Sequence, residues 1–202
     1  MSEEIGMIQS KIIGLTGGIA SGKSTVSTYL KSKGIPVVDA DLVSREVVEP
    51  GSKGLLLLEI AFGSSMITNG RLNRKRLRNL IFADDDKRIL LNSILHPIIH
   101  EEILKQLDEH KGVDPIIVFD APLLLENNLA HLVDIIWLVS CSEKKQMQRV
   151  MQRDDSTESE ARAIISKQMS LKEKEKLADV IITNDNTIES LYMQIDTKLE
   201  SY

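Results

Sequence analysis

Four stretches of the chain are almost continuously apolar and rich in β-branched side chains: Lys11 to Thr16, Pro115 to Asp120, Val133 to Ser140 and Asp179 to Thr183. A shorter fifth, Ile35 to Val38, has the same character. A strand with one face in water alternates apolar and polar residues, whereas a strand covered on both faces reads as an unbroken hydrophobic run. These five are therefore expected to be the strands of a buried parallel sheet. Between them, Lys23 to Lys33 (closed by Gly34), Glu143 to Arg153 and Thr187 to Leu199 carry apolar residues at helical spacing. The βαβ alternation predicts an α/β fold, an open doubly wound sheet of five parallel strands flanked by helices.

The interval between the second and third strands, about 40 to 114, is far longer than a one-helix crossover and requires an insertion. Its punctuation predicts helices throughout. Pro50-Gly51 stops one, Gly63-Ser64-Ser65 stops a second, and Asn69-Gly70 turns the chain before a basic helix starting near Asn73. Asp84-Asp85-Asp86 suits the positive end of a further helix, which Pro97 opens or kinks. A smaller insertion follows Arg153, where Thr157 and Glu160 have capping-box spacing ahead of a short helix ending near Met169. The expected division is a core of 1–41, 113–143 and 178–202, with insertions at 42–112 and 144–177.

Composition narrows the class. With 202 residues, 42% hydrophobic and 27% charged, the chain can bury ~70% of its unfolded surface and needs no disulfide or metal staple. Cys141 is the single cysteine, which excludes an internal disulfide or a multi-cysteine metal site and points to the cytoplasm. The acidic start, Met1 to Met7, precedes no long apolar run, so neither a signal peptide nor a membrane span is expected. A net charge of −5 disfavours nucleic acid as a partner, and any phosphate-bearing ligand needs a local basic site.

Such a site follows the first strand. Gly17-Gly18-Ile19-Ala20-Ser21-Gly22-Lys23-Ser24, continued by Thr25, satisfies G-x-x-x-x-G-K-[ST] between a strand and a helix. Glycines there let successive N–H groups turn inward on a phosphate chain, the helix adds its positive end, Lys23 reaches the terminal phosphates and Ser24 offers a hydroxyl to Mg²⁺. GTPases, motors and small-molecule kinases share this loop, but the chain has neither a D-x-x-G nor an N-K-x-D segment and is too short for a motor domain. Phosphoryl transfer to a small acceptor leads. A nucleotide-driven binding switch is the reading from another class.

Asp39-Ala40-Asp41 follows the second strand, at the carboxyl end where ligands of open α/β sheets gather. One of these carboxylates can accept a proton from an acceptor hydroxyl or help to hold Mg²⁺; either can equally cap a helix starting at Leu42. Arg71 to Arg78 holds five basic residues and no acidic one; it is too short and too poor in aromatics to read as a nucleic-acid surface. His96 and His100 stand four apart, but Pro97 between them argues against a metal pair and for a structural role of His96 at a helix junction.

At this point the chain resembles a known family. Gly14 to Ser24, Asp39-Ala40-Asp41 with Arg45, Val48-Glu49-Pro50-Gly51, Leu72-Asn73-Arg74 with Leu77-Arg78 and Ile81-Phe82, Leu95-His96-Pro97, Ala121-Pro122-Leu123-Leu124 with Glu126, and Met151-Gln152-Arg153-Asp154 look like dephospho-CoA kinase, in order along nearly the whole chain. The resemblance implies a P-loop kinase-like sheet of order 2-3-1-4-5, with 42–112 as the helical substrate-binding insertion and 144–177 as a lid. It implies ATP as co-substrate, Mg²⁺ as cofactor, and phosphorylation of the ribose 3′-hydroxyl of dephospho-CoA in the last step of coenzyme A synthesis; another small hydroxyl acceptor is the alternative. In that pattern Asp41 is the general base, and Lys23, Arg149 and Arg153 act on the transferring phosphate, the arginines as a pair on one helix face. Arg45, Arg74, Arg78 and His96 fall at the acceptor, and Asn184 where the terminal loop passes the adenine. Ala20 stands where the family loop has Gly and is tolerable if the local φ is negative. The family pattern requires no acid at Asp120, although many phosphate-loop proteins place a Mg²⁺ carboxylate there.

Overall fold

A computed structural model describes residues 8–202; the acidic start, expected to carry no targeting segment, lies outside them. Among the described residues five parallel strands form one sheet: β1 (Lys11–Gly17), β2 (Val37–Asp39), β5 (Ile116–Asp120), β6 (Ile135–Ser140) and β7 (Val180–Thr183). They run β2-β5-β1-β6-β7, the order implied by the resemblance, and β1 is paired in parallel to β5 on one side and β6 on the other. The central position of β1 explains its pattern, since every residue from Ile12 to Gly17 is buried.

Helices α1 (Lys23–Ser32) and α9 (Ile188–Leu199) pack on the sheet through Val26, Leu30, Leu191 and Ile195, against Ile13, Leu15, Trp137 and Val139. Tyr29 of α1 and Tyr192 of α9 stack with centroids 3.8 Å apart, and the Tyr29 hydroxyl donates to Asp196 at 2.9 Å. α6 (Glu143–Asp154), α7 (Glu158–Ile165) and α8 (Leu171–Glu175) lie between β6 and β7 in the chain. The capping box of α7 forms as expected, but α7 ends at Ile165 and not near Met169, and a second capping box, Ser170 with Glu173, opens α8.

The chain divides into two compact units. One comprises the described residues up to Val38 together with His110–Tyr202, the other Asp39–Glu109; the 144–177 segment belongs to the first. The second unit holds α2 (Ala40–Glu46), α3 (Lys53–Phe62), α4 (Arg74–Ala83) and nearly all of α5 (Asp85–His110), and buries Val43, Leu55, Leu58, Leu77, Leu91 and Ile103. It departs from an all-helical insertion. Asn69 and Gly70 both have positive φ, and the chain reverses there into a hairpin of β3 (Ile67–Thr68) and β4 (Arg71–Leu72). Positive φ at both central residues matches the twist of flanking strands, while strands of two residues leave no periodic signal. Pro97 neither opens nor interrupts a helix, since α5 runs through it. Pro97 and Ser93, one turn earlier, are both exposed, so water can satisfy the carbonyl that lacks an intrahelical donor.

Candidate active site

β1 delivers the chain to the phosphate loop and α1 carries it away. Gly22, the N-cap of α1, has φ 98° and offers no side-chain cap, and no acidic residue stands in the first turn. The amide groups and the positive end of α1 are thus left for an anion. A Cβ on Gly22 would collide with the side-chain amide of Asn184, so the position needs glycine for space as well as for backbone conformation. Ala20 has φ 57°. The negative φ that would make a methyl group comfortable there is not found, and the departure from the family loop carries strain.

Lys23 and Asp120 form a partly buried ion pair, with the carboxylate only 3% exposed. Ser24 is exposed on the first turn of α1. The Asp120 carboxylate at the end of β5 and the Ser24 hydroxyl are hard oxygen donors of the kind Mg²⁺ takes beside phosphate oxygens and water. No group of three or more His, Cys, Asp or Glu able to hold a metal by itself occurs among the described residues.

Arg149, on α6, turns to the loop: its guanidinium donates to the Asn184 carbonyl at 3.0 Å and, at 3.4 Å each, to the carbonyls of Ala20 and Ser21. Asn184 donates its side-chain amide to the Ser21 carbonyl at 2.9 Å, and its backbone N–H to Ser140. The next residue, Asp185, accepts from the Ser142 N–H at 3.0 Å, which holds its carboxyl below the usual carboxylate range. Gly22, Thr25, Arg149, Asn184, Asn186 and Ile188 line a pocket of about 380 Å³ beside the phosphate loop. A larger cavity, about 870 Å³, is lined by Cys141, Met147, Met151, Ile165, Met169 and Leu171. Burial pushes the Cys141 thiol up, and this cavity contains no residue of the loop itself. The smaller pocket is the better candidate for a nucleoside.

The expected pair of arginines is not a pair in this structure. Arg153 is exposed and bonded to Asp154 at 2.7 and 2.8 Å, which raises the arginine and holds the aspartate low. Arg149 alone reaches the loop.

Within the second unit, Asp39 and Asp41 separate. Asp39 caps α2, accepting from the N–H groups of Asp41 and Leu42, and α2 starts at Ala40, two residues before the expected Leu42. Asp41 stands exposed in the first turn with Arg45 one turn later. Of the basic run, Arg71 pairs with Glu49 at 3.1 Å, and Arg76 donates to the Ser65 carbonyl at 2.8 Å. Arg74 reaches only the Arg45 carbonyl at 3.5 Å and Glu49 at 4.0 Å. Arg74 and Arg78 are exposed and share a face of α4, which Phe82, 93% exposed, continues. His96 is exposed in the middle of α5 and not at a helix junction.

Sequence reading missed the side chains that grip the loop from behind. Gln146 Nε2 donates to the Ile19 carbonyl and Gln168 Oε1 accepts from the Ile19 N–H, both at 2.9 Å. Lys174 bonds to the carbonyl of Gly17. A glutamine or lysine in a polar helical segment looks like surface, and no local pattern marks these three.

A family model described as dephospho-CoA kinase matches residues 11–190. The dephospho-CoA kinase of Oceanobacillus iheyensis is 46% identical over 193 residues, 95% of this chain and 97% of that protein. A crystal structure from Thermus thermophilus superposes with a TM-score of 0.79 at 29% identity, covering 96% of this chain and 98% of that one. A dephospho-CoA kinase from Campylobacter jejuni, at 24% identity, shares the fold with a TM-score of 0.69 over 95% of this chain and 97% of its own. With a phosphate loop of intact geometry on its central strand and relatives matching it almost from end to end, the chain belongs to the dephospho-CoA kinase family.

Proposed function

We propose that the protein transfers the γ-phosphoryl group of ATP to the ribose 3′-hydroxyl of dephospho-CoA, giving coenzyme A and ADP in the last step of coenzyme A synthesis. The observation that carries the reading is the phosphate loop, with Lys23 and the uncapped start of α1, in a chain matched along 11–190 by the family. Gly17 to Thr25 embrace the ATP phosphates, and the nucleoside lies along Asn184 and Arg149. Lys23 exchanges its bond to Asp120 for the β- and γ-phosphates. Mg²⁺, when bound, neutralises phosphate charge; Ser24, with Asp120 once Lys23 has left it, is the residue set that would hold it.

On the acceptor side, Asp41 takes the proton of the 3′-hydroxyl. That role suits a carboxylate that is exposed and makes no cap, whereas Asp39 is committed to capping α2. Arg45, Arg74, Arg78 and His96 receive dephospho-CoA, whose pyrophosphate matches the two weakly engaged guanidiniums on α4. We assign acceptor binding to the unit Asp39–Glu109, three residues from the expected 42–112 at each end, the lid to 144–177 and the nucleotide core to the remaining described residues. Within the lid Arg149 serves ATP directly, and Arg153 must leave Asp154 to reach a transferring phosphate.

Purified protein with ATP and Mg²⁺ is offered dephospho-CoA beside nucleosides and sugars, and ADP release is recorded. Release that depends on dephospho-CoA is expected. Preference for another acceptor, or release independent of any acceptor, would overturn the reading. Asp41→Asn should lower turnover by orders of magnitude with ATP affinity nearly intact, and near-normal turnover would remove Asp41 from the base role.

A further inference from the structure

Lys174 is completely buried. Its ammonium group has three hydrogens and meets three acceptors: the Gly17 carbonyl at 3.2 Å, the Pro122 carbonyl at 3.0 Å and Glu126 Oε1 at 2.9 Å. Glu126 Oε1 also accepts from the Met169 N–H at 3.2 Å, and the Pro122 carbonyl from the Thr16 hydroxyl at 3.0 Å. An ion pair taken out of water costs several kcal/mol per charge, and apolar side chains of like volume generally stabilise a core as well or better. Stability alone is thus a poor reason for a lysine here.

The acceptors suggest another reason. Gly17 is the last residue of β1 and the first of the phosphate loop, and Pro122 lies two residues after Asp120, the partner of Lys23. One ammonium group therefore fixes the neighbouring ends of β1 and β5, the first leading through the phosphate loop to Lys23 and the second carrying Asp120. The same stretch of chain fixes the loop two residues further on, where Gln168 holds the Ile19 N–H and Gln146 of α6 holds its carbonyl.

We propose that Lys174, with Glu126 as its counter-ion, is a positioning residue for phosphoryl transfer. It touches neither substrate, and it sets the spacing of the phosphate loop from the β5 end and ties both to the segment 168–174. Displacements of about 1 Å in groups that hold a transferring phosphate cost up to about 100-fold in rate, and residues that orient metal ligands through hydrogen bonds, a comparable supporting role, typically cost about 10- to 100-fold when removed. The inference rests on the ATP site proposed above.

The test is the double variant Lys174→Met/Glu126→Gln, which removes both charges together and keeps the volumes. It should fold, bind dephospho-CoA in the absence of ATP as wild type does, and lose about 10- to 100-fold in kcat/KM for ATP. A folded double variant with wild-type kcat and ATP affinity overturns the proposal. Should the double variant not fold, Lys174→Arg retains the charge but cannot place three donors on these three acceptors. It should show the same split between the two substrates, and wild-type kinetics in it would equally overturn the proposal. ATP binding by the wild-type chain, measured with no acceptor present, separates this inference from the reading beneath it: a wild type that binds no ATP sinks the function, and a wild type that binds it while the variants match it sinks only the role of Lys174.

Discussion

At the scale of single residues, the phosphate loop holds two tensions that mutation can release. Ala20 is an L-residue in the left-handed region, a conformation costing about 1 kcal/mol or more, partly offset by the extra freedom glycine has when unfolded. Ala20→Gly should therefore raise stability by up to about 1 kcal/mol, read as a shift in the urea midpoint with unchanged slope. A lower midpoint would show that the methyl group contributes packing that outweighs the strain. Lys23 and Asp120 pose the opposite case. Lys23→Met leaves an almost fully buried carboxylate without its cation, a change that destabilises by about 3–5 kcal/mol. Adding Asp120→Asn should recover much of that stability and none of the activity, because the loop still lacks its phosphate-binding ammonium group. Calorimetry of the two variants beside an activity assay checks both halves.

At the scale of elements, α7 and α8, within the 144–177 segment, are short helices whose N-termini close on themselves. In α7 and α8 the hydroxyls of Thr157 and Ser170 accept from the N3 N–H, and Glu160 and Glu173 return the bond. Hydrogen bonds from Thr157 and Ser170 hold these two carboxyls below their ordinary value of 4.5. Because the folded values are the lower ones, the contribution is full above the ordinary value and disappears as the pH falls below it toward the folded value. Urea midpoints followed from pH 7 to 3 should thus fall more steeply for wild type than for Glu160→Gln/Glu173→Gln. Parallel profiles would mean that the carboxylate charge adds nothing to the boxes at either helix. The first box is readable as Thr157-x-x-Glu160, and the second has the same spacing; the end of α7 at Ile165 is not readable, because no glycine or proline marks it.

At the scale of the whole molecule, the charge pattern reconciles an acidic chain with phosphate-rich substrates. The net charge is −5, yet Lys23, Arg149 and the exposed Arg74 and Arg78 put positive charge at a few places. No helix among the described residues is long and apolar enough to cross a membrane. A ligand bound only by the folded state at 100 times its Kd adds about 2.7 kcal/mol, so saturating ATP should raise the unfolding temperature by roughly 5–10 °C. Lys23→Met should abolish that rise, and a rise that persists in it would place the nucleotide elsewhere.

What the sequence determined by itself was local or strictly periodic. Unbroken apolar runs specify strands covered on both faces, and G-x-x-x-x-G-K-S needs only adjacent residues to form a cradle. The ordered motifs from Gly14 to Asp154 carried the family, and with it the strand order. The tertiary structure decided everything that depends on residues far apart in the chain. Asn184 makes glycine obligatory at position 22 from 162 positions away, Arg149 turns to the Ala20 carbonyl across 129 positions, and Lys174 reaches Gly17 across 157 positions. A buried lysine leaves no periodic trace in a polar segment, because only the folded chain brings three acceptors around it and makes its burial tolerable.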